Sequence, residues 1–266
     1  MTRASRFEGR IGTTVAESEP YFDEAPHPGD DAPNVVMVLL DDTGFGQLGC
    51  YGSDIETPNL DALAAGGLQF TNFHVTPLCS PTRASLLTGR SQHAVGMRAI
   101  SNFRTGFPSQ LGHITNHAAT VAEVLREEGF ATFCAGKWHL APMEQCSAAG
   151  PFDQWPLARG FDRFYGFLEG ETDQFHPDLV CDNHPINPPA GPEDGYHLSE
   201  DLVDRLLGMI ADSRGPTGRS SATCHLAPPT PLIRRRRSTW PSTGGASTRA
   251  GMSFVDAGMN ASSNSV

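Results

Sequence analysis

Apolar positions along this chain recur in two rhythms, one of short continuous or alternating runs and one of helical spacing. Asn34-Val-Val-Met-Val-Leu-Leu40 is a continuous run closed by Asp41-Asp42 and the glycine-rich Thr43-Gly-Phe-Gly46. A short apolar run bounded by turn residues predicts a strand buried on both faces. Thr57-Pro58 supplies a cap and a first-turn proline, which predicts a helix through Leu60, Leu63 and Ala64 that stops at Gly66-Gly67. Leu68 to Val75 alternates and reads as a second strand. Ser80-Pro81 repeats the cap-and-proline pattern, so Thr82 to Thr88 should be a helix that begins directly after Cys79. Thr120 with Glu123 forms a capping box for a helix to Glu128, ended by Gly129. Phe130 to Cys134 is the next predicted strand and leads into Ala135-Gly-Lys-Trp-His139. Ser199 caps a last helix whose apolar face is Leu202, Val203, Leu206, Leu207 and Ile210. Strands alternating with helices predict an α/β fold with a largely parallel sheet, whose functional groups sit at the carboxyl ends of the strands.

Charge divides the chain. Of 266 residues, 19 are Lys or Arg and 30 are Asp or Glu, a net charge of −11. Residues 1–33 form a polar, Pro/Asp-rich arm, and residues 34–214 carry the periodic elements. Residues 215–266 hold six arginines against the single acid Asp256, with no Lys, no Glu and no apolar period. The acidic body argues against nucleic acid as a partner. The longest aliphatic run, Val35 to Leu40, is far below the roughly 20 residues that a membrane span needs. Its six cysteines contain no CxxC pair, so they suggest neither a zinc ribbon nor a disulfide framework. With no apolar leader in the first twenty residues, the expected location is cytoplasmic.

Asp41-Asp42 falls where strand ends should carry function, and two adjacent carboxylates suit a hard cation. Taken alone, the pair reads first as a turn or a helix cap. Leu78-Cys-Ser-Pro-Thr-Arg-Ala-Ser-Leu-Leu-Thr-Gly-Arg90 is more specific. It sets Cys79 at a helix N-terminus, which favours an anion, with Arg83 one turn further along the same face.

That string resembles the Cys-x-Pro-x-Arg signature of the type I sulfatases, with its Leu-Thr-Gly-Arg extension. Asn34 to Gly46 is similar to that family's first strand and metal motif, and Gly136-Lys-Trp-His139 to its Gly-Lys-Trp-His element. The likeness runs from about Pro33 to Arg214, through Gly160-Phe-Asp-Arg-Phe-Tyr-Gly-Phe-Leu168 and Glu171-Thr-Asp-Gln-Phe175. It implies the N-terminal portion of an alkaline-phosphatase-like fold and a sulfuric ester hydrolase of arylsulfatase type. By the same resemblance, Cys79 is converted by the formylglycine-generating enzyme into a formylglycine nucleophile. Arg83 then holds its hydroxyl, Lys137 binds a sulfate oxygen of a small sulfate ester, and His139 accepts a proton. Asp41, Asp42 and residue 79 are implied ligands of Ca²⁺, in some members Mg²⁺. The family's second Asp-Asn metal pair, a further sulfate-binding His and another Lys have no counterpart after residue 214. Two other readings stay open: a phosphonate or phosphate ester hydrolase of the same superfamily, and a non-catalytic anion-binding fragment.

The basic tail reads as translation in a shifted frame. Taking the third base of each codon with the first two of the next, Leu226 to Ile233 permit Gly-Ala-x-His-Ala-Pro-His, and Trp240-Pro241 force an Ala. These strings resemble the sulfatase segment expected after the last helix, and such a tail is expected to be disordered.

Overall fold

The computed structural model describes residues 7–23, 26–29, 31–213 and 221–222. Its centre is β1 (Ala131–Lys137), buried along its whole length. Alternate side chains of β1 point to opposite faces, and each face has its own cover. Cys134 joins a core with Ala84, Leu87, Ala122, Trp138 and Phe164. Ala131, Phe133 and Ala135 join another with Leu202, Val203, Leu206 and Met209. The first cover includes α2 (Cys79–Thr88) and α3 (Val121–Glu127), and the second is α4 (Leu198–Ser213). Helices on both faces of one sheet make three layers.

The sheet has the order β4-β3-β2-β1-β5. β1 runs parallel to β2 (Arg163–Phe167) and to the two-residue β5 (Ser221–Ala222). β3 (Leu179–Cys181) and β4 (His184–Ile186) add an antiparallel hairpin on the other edge. The expected largely parallel sheet is therefore mixed. Asp182-Asn183 is the hairpin turn, where Asp182 takes φ 56° and its carboxylate accepts from Phe164 N at 2.9 Å and from Arg163 Nε at 3.1 Å. β5 and its pairing lie inside the segment read as a disordered tail; residues 223–266 lie outside the described residues.

Three helices stand close to where the pattern put them. α1 (Pro58–Gly66) begins at the proline and ends at the glycine pair. α2 starts at Cys79 itself, with Leu78 as its cap residue. α3 carries the expected box, with Thr120 Oγ1 accepting from Glu123 N at 3.1 Å and Glu123 accepting from Thr120 N at 2.6 Å. α4 starts at Leu198, earlier than a Ser199 cap allows, and His197 Nδ1 accepts from Ser199 N at 3.2 Å.

Two expected strands do not form. Residues 34–40 belong to no named strand, and Val36 and Val38 are exposed. Residues 68–75 are likewise outside any strand, with Leu68 89% exposed and Phe70, Phe73 and Val75 uncovered. A strand is stabilised by a ladder partner and a covered face. Residues 68–75 have no covered face, and in residues 34–40 Val35, Met37, Leu39 and Leu40 are only partly buried, so an apolar pattern alone does not make them strands.

Candidate active site

The site gathers at the carboxyl end of β1 and the first turn of α2. Chain direction puts Lys137 on the last residue of β1, and Trp138-His139 follow beside the end of β2. Trp138 N donates to Phe167 O and His139 N to Leu168 O, both at 2.9 Å. This turns His139 into a left-handed backbone conformation, φ 53°, which is sparsely populated for a non-glycine residue. Its ring then lies over the N-terminus of α2, with Nδ1 3.1 Å from Cys79 Sγ and Nε2 2.6 Å from Asn102 Oδ1.

Arg83, one helical turn beyond Cys79, is wholly buried. Its Nη1 donates to Lys137 O at 2.6 Å, and Nη2 lies 3.5 Å from Asp41 Oδ2. Lys137, with a side chain 3% exposed, donates from Nζ to the same oxygen at 2.7 Å. Two buried cations thus share one carboxylate, leaving a net positive charge at a helix N-terminus inside an acidic body. Nε and Nη2 of Arg83 have no hydrogen-bond acceptor among the described residues. Donors left open in a buried, positive recess can receive an oxyanion.

Burial lowers the basicity of His139 and Arg83. His139 is pushed down to about 3, first by burial and then by Lys137 and Arg83, with Asp41 opposing. It is therefore a neutral imidazole at neutral pH, able to take a proton through whichever nitrogen carries none. The Arg83 guanidinium is lowered from its ordinary value by burial, against the pull of Asp41. Elsewhere, burial pushes the Cys146 thiol up to about 12, and Cys134 is fully buried.

Of the residues expected to act together, Cys79, Arg83, Lys137, His139 and Asp41 converge. With residue 79 as cysteine, Cys79 touches His139, while Arg83 reaches the Lys137 carbonyl and Asp41. Asp42 is exposed, at φ 50°. Calcium takes roughly 6–8 oxygens. Among the described residues no group of three or more His, Cys, Asp or Glu is placed to hold a metal, and the Asp41 carboxylate is already taken by two cations. The residues present do not fit a calcium site.

Two neighbours escaped the motifs. Asn102 lies in a loop without any chemical signature. Gly170 packs against the His139 ring, where a Cβ would stand 2.8 Å from Cε1. Only the flanking strings Gly160 to Leu168 and Glu171 to Phe175 hinted that this loop matters.

The three-layer α/β/α domain, with Cys79 at a helix N-terminus and cations at a strand end, has the alkaline-phosphatase-like fold of solved sulfatase structures. Residues 33–219 match the family model described as "Sulfatase", and the chain belongs to the sulfatase family. It is 44% identical over 166 residues to human "Arylsulfatase A", covering 61% of this chain and 30% of that protein. Human "Steryl-sulfatase" is 40% identical over 148 residues, covering 54% of this chain and 25% of that protein. The crystal structure of "Ps i-CgsB" shares the fold at TM-score 0.64 and 24% identity, over 86% of this chain and 53% of that one. This chain thus spans less than a third of the length of the curated relatives it matches.

Proposed function

We propose that this chain carries the nucleophile-bearing part of a sulfuric ester hydrolase site, of arylsulfatase type, which acts on small sulfate monoesters. The supporting observation is the contact of Cys79 with His139 at the N-terminus of α2, flanked by buried Arg83 and Lys137. Family resemblance makes Cys79 the position that the formylglycine-generating enzyme converts. As formylglycine, that position supplies a hydrated aldehyde with two hydroxyls, one to attack sulfur and one to drive sulfate release.

The chain's own residues divide the rest of the work. Open donors on Arg83 and the ammonium of Lys137 stabilise the negative charge that gathers on the sulfate oxygens. The unprotonated nitrogen of neutral His139 faces position 79 and accepts a proton there. Burial of the cations keeps water from screening them. Among the described residues the donors are too few to hold a metal ion, so no step is assigned to one. That shortage favours a second reading, an anion-binding domain without turnover.

Co-expression with the formylglycine-generating enzyme and mass spectrometry of the Cys79 peptide test the conversion. An unmodified thiol would overturn it. Assay of the converted chain on 4-nitrophenyl sulfate and 4-nitrophenyl phosphate then separates the alternatives. Sulfate ester turnover, lost in Cys79→Ala, supports the proposal. Faster phosphate ester turnover supports the phosphatase reading, and sulfate binding without turnover supports the anion-binding domain.

A further inference from the structure

We propose that Asn102 is a positioning residue of this site: its Oδ1 accepts the proton on His139 Nε2 and so holds the Nδ1 lone pair against residue 79. This rests on the sulfatase reading for its role in catalysis, though not for its geometry. A neutral imidazole carries one proton, and the hydrogen bond made by one nitrogen sets the state of the other. With Asn102 Oδ1 at 2.6 Å from Nε2, the proton belongs on Nε2 and the free pair on Nδ1, 3.1 Å from Cys79 Sγ. A nucleophile, a base and a third group that orients the base form a recurring catalytic constellation.

The loop around Asn102 is built to hold it. Ser101 N donates at 3.2 Å to Oγ of Ser80, the residue that follows the nucleophile position. Gln110 is fully buried; its amide donates to Ile100 O at 3.0 Å and Phe103 O at 2.7 Å, and accepts from Ala99 N at 2.6 Å. One side chain thus clamps the backbone on both sides of Asn102, and Ser80 couples that loop to the start of α2. Gly170 packs against the ring on this side, where an added Cβ would stand 2.8 Å from Cε1 and 3.0 Å from Nε2. A solvent-facing asparagine in a loop would need no such scaffold.

The full chain, labelled with ¹⁵N in histidine, decides the matter. Long-range proton–nitrogen spectra at neutral pH show which ring nitrogen of His139 is protonated, with assignment by His139→Gln. The expected result is a proton on Nε2 in the wild-type chain, retained in Asn102→Asp and lost or mixed in Asn102→Leu, which is of similar size. A proton on Nδ1 in the wild-type chain, or an unchanged pattern in Asn102→Leu, overturns the proposal. The wild-type spectrum decides even if a variant fails to fold. After conversion of residue 79, Asn102→Leu should lower kcat by roughly 10²-fold with KM nearly constant, and Asn102→Asp should recover most of it. If the wild-type chain turns over no ester while the proton sits on Nε2, the hydrolase reading fails and the positioning role stands.

Discussion

Replacing Asp41 by Asn removes the carboxylate that two buried cations share. Lys137 Nζ stands 2.7 Å and Arg83 Nη2 3.5 Å from Oδ2, with all three side chains at least nine-tenths buried. At an effective dielectric constant of about 20 the two attractions sum to roughly 10 kcal/mol, most of it offset by the desolvation already incurred on folding. Deleting one partner leaves that desolvation uncompensated, a loss of about 3–5 kcal/mol. In a domain of this size the melting temperature should fall by roughly 6–20 °C. Urea unfolding followed through the buried Trp138 and Trp155 reads the loss. Two further arms identify its cause. Lys137→Met in the Asp41→Asn background should recover part of the stability, because it removes one orphaned charge. Sulfate at a hundredfold excess over its Kd for Asp41→Asn should stabilise that variant by about 2.7 kcal/mol and the parent by less. An Asp41→Asn chain within about 1 kcal/mol of the parent, or equal sulfate stabilisation of both, would refute the shared-carboxylate account.

His139 is neutral in the folded state and protonates near pH 6.5 when unfolded. Its depressed folded value means that stability present above pH 6.5 is lost as pH falls toward 3, by up to about 1.4 kcal/mol per pH unit. His139→Gln should flatten that limb of the urea midpoint against pH. Gly170→Ala should displace the ring and slow the converted enzyme by about 100-fold, with little change in unfolding midpoint. Leu206→Ala, in the core between α4 and the sheet, should cost about 2–5 kcal/mol in chemical unfolding. For the tail, the coding DNA should give His-Ala-Pro-His in the shifted frame over codons 226–233; an early stop codon there would show the tail to be genuine.

Local grammar carried the helices. Thr57-Pro58, Ser80-Pro81 and the Thr120–Glu123 box are decided within one turn, and the structure puts helix starts within three residues of the expected ones. The last helix also kept its apolar face, with Met209 added. Strands are a different case, because a strand is defined by what lies beside it. Residues 34–40, a continuous apolar run, and 68–75, an alternating one, have the pattern of strands and belong to no named strand. β2, by contrast, was present in the quoted motif Gly160 to Leu168 yet shows as a strand only once paired with β1. Within the site, Cys79, Arg83, Lys137 and His139 were legible because motifs fix them at short spacing. Asn102 and Gly170 were not, since they act through a 2.6 Å contact and an absent methyl, and neither leaves a periodic trace.

The left-handed backbone of His139 sets a conflict between endurance and chemistry at one residue. A histidine held at φ 53° stores about 1–3 kcal/mol that surrounding structure must supply. Asparagine and glycine enter that region more readily. Selection for thermal tolerance alone would therefore favour His139→Asn or His139→Gly, exchanges that relax the turn and discard the imidazole. A screen that rewards only folded yield should drift toward such variants, and one that rewards turnover should keep the strained histidine and gather its compensations elsewhere, in α4 or the Gln110 clamp.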